Sequence, residues 1–428
     1  MNSTRGFSRF LLLSLAPAVL ARALVAVELP AVEIHGALSA TAAYSDRYNY
    51  LGDTKDTLDL FSSEVTVNGT HRFANGLRFG AQIYAYKLDE FRDLTVDFAQ
   101  FDYSFDEKFG IRLGRGKQAI GLYGDTQDID IIRPLALLPL NAYPKAMRTN
   151  GASYDGAAAY GTLPLGAAGT LDYHVYGGIP ARYRSDDPWL LVMNDTAPTN
   201  VTEIEDLGRL IAGSMYWNTP VSGLKLGASV ARTTGTELDA VVRSAANLSM
   251  AAGDIRLMPT RFPPGMWDNV IAGRPALMRQ NAVTHTVYSA EYTRGDWIFA
   301  AEYRTTTVSS QSVLPVLGPG TYSNRSDDFY VMATWQAAPK WQLAAYYEEG
   351  YANTHDRRGR SYQATPAHHA WTKDLCVAAS YNIADWWLVK VQAHHINGTA
   401  LLSGRNNPAI AQWQPNWTYL VLKTTVSF

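Results

Sequence analysis

Residues 111–144 read IRLGRGKQAIGLYGDTQDIDIIRPLALLPLNAYP. The first eight alternate as a strand, yet the chain does not turn back until strand-like alternation resumes near Ala152. A connection beyond roughly 15 residues is uncommon in a compact domain and is usually functional. One arm of this loop carries Asp125, Asp128 and Asp130, its elbow carries Leu135, Leu137, Leu138 and Leu140, and Arg133, Lys145 and Arg148 stand around it. Four leucines gain nothing on an exposed loop. Folded against an inner wall they are buried, and the carboxylates then face basic wall residues across a passage. The stretch is therefore expected to form the constriction of a pore.

Working outward, the same alternation fills the chain. Segments of about ten residues with period two are joined alternately by short turns and longer polar loops, which places different solvents on the two faces. In LRFGAQIYAYK (77–87), Leu77, Phe79, Ala81, Ile83 and Ala85 share one face, while Arg78, Gln82, Tyr84 and Tyr86 share the other. Apolar-out and polar-in strands are the signature of a transmembrane barrel. Ala74-Asn75-Gly76 supplies a tight turn, because Asn-Gly accepts the positive φ that a short hairpin needs. Toward the C-terminus, Trp335, Trp341, Trp386 and Trp387 all sit beside short turns, as tryptophans at a membrane interface do. Sixteen strands are expected, with seven short turns and eight long loops. A β-sandwich also alternates, but it explains neither the tryptophans gathered at one rim nor a chain ending in the strand WTYLVLKTTVSF (417–428).

Composition agrees. The 428 residues are 47% hydrophobic but only 18% charged, with 25 Tyr, 11 Trp and 14 Phe, an aromatic excess suited to interfacial girdles. Past residue 26 no run of 18 apolar residues can span as a helix. A net charge of -2 leaves no basic stripe for nucleic acid. Residues 1–26 combine Arg5 and Arg9, an apolar run and small residues, the pattern of a signal peptide. Residues 27–428 are then one barrel, with a constriction loop over 118–151. Pro259, Pro263, Pro264 and Pro275 mark 235–282 as a long extracellular loop, and a second loop is expected from about Pro180 to Asp206.

The chain resembles the outer-membrane porins of Gram-negative bacteria, especially the substrate-specific, phosphate-selective-like group of 16-stranded porins. IHGALSATAAYSD, RLGRGKQAIGLYGDTQDID with RPLALLPLNAYP, and the terminal VSF carry the resemblance. It implies an all-β antiparallel barrel with short periplasmic turns, long extracellular loops and a third loop folded into the lumen. It further implies an assembly signal at Phe428 read by the barrel-assembly machinery, a homotrimer, contact with outer-membrane lipid and lipopolysaccharide, and passive diffusion of small hydrophilic solutes, some of them anionic. A dense lysine or arginine ladder is not obvious from the spacing.

Charge rings and width select solutes in a pore. The candidate set is Arg78, Arg112, Arg115, Lys117, Asp125, Asp128, Asp130, Arg133, Arg148 and Arg304, with Lys390 and Lys423 as further wall cations. Arg112 lies on the polar parity of its strand; Arg115 breaks it and needs a bulge or a place above the membrane. Arg133 and Arg148 border the loop and can pair with its carboxylates. Tyr123, Tyr143 and Tyr154 suit either packing or a surface for sugars. No cofactor or metal is expected: neighbours such as His368-His369 and His394-His395 point to opposite faces of a strand. Nor is an enzyme, since no nucleophile elbow or zinc helix occurs. Cys376, alone, forms no internal disulfide. The competing reading is a structural or adhesive barrel with a plugged lumen that binds a surface partner.

Overall fold

The computed structural model describes residues 32–428 apart from 74–75, 182–198, 243–274, 315–317, 362–365 and 405–406. The signal-peptide stretch thus lies outside the described residues. The strands are β1 (Val32–Ser45), β2 (Asp59–Arg72), β3 (Arg78–Leu88), β4 (Phe91–Ser104), β5 (Gly110–Lys117), β6 (Ser153–Pro164), β7 (Thr170–Pro180) and β8 (Thr199–Asn218). They continue as β9 (Leu224–Val242), β10 (Pro275–Arg294), β11 (Trp297–Leu314), β12 (Gly318–Ala338), β13 (Trp341–Tyr351), β14 (Trp371–Ala384), β15 (Trp387–Gly398) and β16 (Asn416–Ser427). Each pairs antiparallel with its neighbours in sequence, and β1 pairs with β16, so the sheet closes without an edge. Closure matters in a membrane because every ladder hydrogen bond must be made within the protein.

The outward face is apolar where lipid would lie: Ile83, Leu94, Leu113, Ile211, Val331 and Leu375 are all more than two-fifths exposed. Trp217, Trp297, Trp335, Trp341 and Trp386 ring the turn end of the barrel, partly exposed, and Trp297 stacks on Trp335 at 5.4 Å. Tyr288 and Tyr303 hold the corresponding outward level toward the loop end.

Sixteen strands and the spacing of turns match expectation; four of the loops do not. Residues 89–90 alone join β3 to β4, and 315–317 join β11 to β12. The stretches expected as loops over 180–206 and 235–282 are also shorter, because β8 begins at Thr199, β9 runs to Val242 and β10 starts at Pro275. Only 243–274, outside the described residues, remains between β9 and β10. Strands β8 to β12 are 18 to 21 residues long, about twice what a bilayer requires. Above the lipid both faces are wet, so the apolar alternation that betrays a strand disappears, as at Glu203, Glu205 and Asp206. Pro275 is tolerated as the first residue of a strand.

Candidate functional site

The lumen is narrowed by residues 118–152, termed L3, between β5 and β6. Its interior is organised by the leucine elbow. Leu135 and Leu138 pack with Tyr330, Met332, Ala344, Tyr346, Cys376 and Ala378 of the inner wall, and Leu137 and Leu140 with Ala43, Phe61, Ile396, Tyr419 and Val421. Each leucine is nearly or fully buried and contributes roughly 1.5–3 kcal/mol relative to an exposed one. Because an apolar wall leaves backbone amides of a buried loop unsatisfied, inward polar residues meet them. Gln392 Oε1 accepts from the amides of Ala136 (3.0 Å) and Leu137 (2.9 Å), and its Nε2 donates to the Leu137 carbonyl at 3.0 Å. Glu348 accepts from the amides of Leu140 (2.8 Å) and Asn141 (3.1 Å). Glu302 accepts from Leu122 N at 2.7 Å and from the hydroxyl of Tyr143, and Ser229 Oγ accepts from Gly121 N at 2.9 Å. Gly121 has φ +73°, and a Cβ there would stand 2.4 Å from the Tyr143 hydroxyl, so no side chain fits this crossing. L3 therefore reaches β9–β11, returns to β3–β5, passes β16, β15 and β13, and closes on β2 and β4.

Charges fix the return. Asp130 is met by Lys423 at 2.8 Å, Lys390 at 3.6 Å and the Thr425 hydroxyl at 3.0 Å. Lys390 also donates to the carbonyls of Asp130 (2.7 Å) and Leu135 (3.0 Å). Burial opposes ionisation of Asp130, but Lys423, Lys390 and Arg133 outweigh it and hold its carboxyl below the usual range. Asp128 is in the same position: Lys117 at 2.7 Å and Arg148 at 3.9 Å override its burial and lower it. Asp97 of β4 takes Arg148 at 2.9 Å and Lys117 at 3.2 Å, and Lys145 reaches Glu64 of β2 at 2.5 Å. Arg148 also lies over the Tyr84 ring at 4.0 Å.

The expected set thus divides. Asp128, Asp130, Lys117, Arg148, Lys390 and Lys423 do meet, but as closed, largely buried pairs that dock the loop, not as charges opposed across an open passage. The reason is distance: at 2.7–3.2 Å the charges satisfy one another. Arg133 turns back into L3 and donates to the carbonyls of Thr126 (2.8 Å), Ile129 (3.2 Å) and Gln127. Arg115 is not in the lumen. It follows Leu113 on the outward face, where it pairs with Asp155 at 2.7 Å and donates to the Val96 carbonyl. Arg78 and Arg112 share Asp102 at 2.5 and 3.1 Å on the turn side of L3, with Arg112 over the Tyr160 ring at 4.2 Å. Asp125 stands on L3 with its side chain open to solvent, and desolvation by the chain around it raises its carboxyl above the ordinary value. Tyr123 and Tyr143 pack on each other at 5.7 Å, and Tyr154 stacks on Tyr176 at 4.5 Å.

On the loop side of L3 lies a vestibule of about 430 Å³ between Gln118, Ile120, Gln127, Tyr143 and Arg148 of the loop and the walls of β8 to β11. Thr233, Thr236, Gln280, His285, Arg304 and Thr306 supply its polar lining, and Leu207, Ala231, Val283 and Val308, interleaved with them, its apolar lining. Arg304 pairs with Asp328 at 3.1 Å and donates to the Asn141 carbonyl. Of the vestibule residues, only Arg148, Arg304 and Tyr143 stand out in the sequence. The loop acceptors Glu64, Glu302, Glu348 and Gln392 are not among the sequence candidates; their signal is a carboxylate or amide on the inward parity of a strand.

A closed 16-stranded barrel narrowed by the third connection at its loop end is the geometry of a diffusion channel. The family described as Gram-negative porin matches residues 11–401. The chain belongs to the Gram-negative porin family. Among solved structures, this porin is similar to the anion-selective porin from Comamonas acidovorans (11% identity, 93% of this chain and 99% of that one, TM-score 0.54). It is also similar to the outer-membrane expressed OmpT of Vibrio cholerae (12%, 94% and 100%, 0.53) and to the outer membrane channel DcaP of Acinetobacter baumannii (11%, 95% and 100%, 0.52). At these identities the likeness is one of fold. No curated protein sequence matches the chain significantly. Family and fold place the porin in the outer membrane as a channel rather than an enzyme.

Proposed function

We propose that this porin passes small hydrophilic solutes passively from the loop-side vestibule past L3, with a preference for anions. One observation carries the preference: the charged side chains in the vestibule lining are, among the described residues, Arg148 and Arg304, whose carboxylate partners Asp97 and Asp328 are not part of that lining. Guanidinium donors that face the mouth while their counter-charges stand back meet an anion directly and hold a cation off. One similar structure is described as an anion-selective porin, but the argument here rests on the lining. A homotrimer in contact with outer-membrane lipid and lipopolysaccharide, assembled through recognition of Phe428, is part of the same proposal.

A second reading keeps one observation in its favour. L3 touches the wall on β2 to β5, on β8, β9 and β11, and on β13, β15 and β16, as a plug would. Planar-bilayer recording separates the two. Steady openings with an anion-directed reversal potential in a KCl gradient, and larger conductance after deletion of 124–138, are expected; a folded but silent barrel would establish the plug.

A further inference from the structure

The vestibule has a chemistry more specific than a charged mouth. Its volume of about 430 Å³ lies within the range of small-molecule sites. Val283 and Val308 are register partners and form an apolar patch of the lining, next to His285 and Thr306 on the same strands and Thr233 on β9. An apolar patch among polar neighbours suits a solute that has both an apolar body and a polar head. Arg148 lines the chamber while 8% exposed, and its Nε, buried, has no hydrogen-bond partner in the structure. A buried donor left unpaired costs about 1–3 kcal/mol. It therefore points to an acceptor that arrives from the chamber.

The charge of that acceptor is constrained. Arg148 keeps Asp97 at 2.9 Å and Arg304 keeps Asp328 at 3.1 Å, so each guanidinium offers spare donors with little net positive charge behind them. A doubly charged phosphate would find its charge uncompensated; a single carboxylate needs only the donors. We infer that the vestibule is a saturable site for small monocarboxylates carrying a compact apolar body, the carboxylate toward Arg148 and Arg304 and the body against Val283 and Val308. This deepens the channel reading and rests on it for its purpose, although binding is measurable without conduction.

The probe is benzoate, with benzyl alcohol and inorganic phosphate as controls, applied to the full mature porin. Calorimetry in detergent reads binding, and the chloride current in a bilayer reads occlusion. Saturable benzoate binding and block are expected, with neither control competing at equal concentration. Arg304→Gln should weaken benzoate about tenfold, the loss of one charge-assisted hydrogen bond. Val283→Thr, which changes neither charge nor shape greatly, should weaken benzoate binding by calorimetry, and it keeps the test open if the arginine variant misfolds. Absence of benzoate binding by calorimetry, or equal binding of phosphate or benzyl alcohol, would overturn the inference even if the channel conducts. Binding without conduction would retain it and sink the channel reading instead.

Discussion

Lys423 Nζ of β16 lies 2.8 Å from Asp130 Oδ2 of L3, and both side chains are almost wholly removed from solvent. The strand that closes the barrel is thus joined to the loop that narrows it. Removing one partner of a buried pair leaves the other uncompensated and costs about 3–5 kcal/mol. Asp130→Asn strands two lysines, since Lys390 is fully buried beside the same carboxylate. It should undock this part of L3 without opening the β1–β16 seam, whose ladder hydrogen bonds are independent of it. Single-channel recording should then show noisier and larger openings from a barrel that still folds; unchanged current would refute the anchoring role.

The same carboxylates set a pH response. Asp128 and Asp130 are held below the ordinary carboxylate value, so their contribution to docking is complete above about pH 4, the unfolded carboxylate pKa, and is lost as pH falls through their folded values. Asp125 is raised and contributes with the opposite sign, favouring the docked loop at low pH and losing that contribution as pH rises through its folded value. Two lowered groups with direct lysine partners outweigh one raised group without one. Conductance should be quiet at neutral pH and become noisy and reversible below about pH 4. A steady channel down to pH 2 would show that these pairs do not hold the loop.

Gln392 tests the neutral part of the docking. Its amide makes three hydrogen bonds to the backbone at Ala136 and Leu137. Gln392→Leu keeps the volume but leaves two buried amides unsatisfied, at about 1–3 kcal/mol each. Loop mobility measured by a spin label at position 137 should rise, with no change in heat stability of the barrel.

What was legible in the sequence follows from which faces meet different solvents. The strands crossing lipid, such as 77–87 and 297–307, alternate because one side is oil and the other water. The upper parts of β8 to β12 have water on both sides, and there the signal vanished and loops were expected instead. The leucine elbow announced L3 because nothing but an inner wall explains four buried leucines in a loop. Its charge pairs were not legible, because period-two parity says that Lys390 and Lys423 point inward but not that Asp130 will reach them. Arg115 shows the converse: its parity already placed it outward, and only its basic character drew it into the pore set.

The chain terminus supplies a folding prediction. Phe428 and Gly36 exchange backbone hydrogen bonds of 3.0 Å across the seam, and a Cβ at Gly36 would lie 2.5 Å from the Phe428 ring. Gly36→Val must push the terminal ring out of place. Refolding yield, read as heat-modifiable mobility on a gel, should fall for Gly36→Val and recover in the double variant Gly36→Val with Phe428→Ala if the clash alone is responsible. Failure to recover in a chain where Phe428→Ala alone refolds would assign the obstacle to the Thr66 carbonyl, 2.9 Å from the same Cβ.

The last prediction separates the two arginines whose surroundings differ most. Arg115 pairs with Asp155 on the outward face, with 25% and 48% of the two side chains exposed, and exposed pairs contribute about 0–1 kcal/mol. No field from it crosses the lumen, so Arg115→Gln should leave the reversal potential unchanged. Arg304 lines the vestibule and is the partner of Asp328, whose side chain is only 12% exposed. Arg304→Gln removes the cation and leaves that carboxylate uncompensated at the mouth, so the local charge turns from balanced to negative. The reversal potential should therefore move toward cations in a KCl gradient, most strongly at low salt where screening is weakest. An equal shift for the two variants would show that selectivity is set elsewhere in the passage.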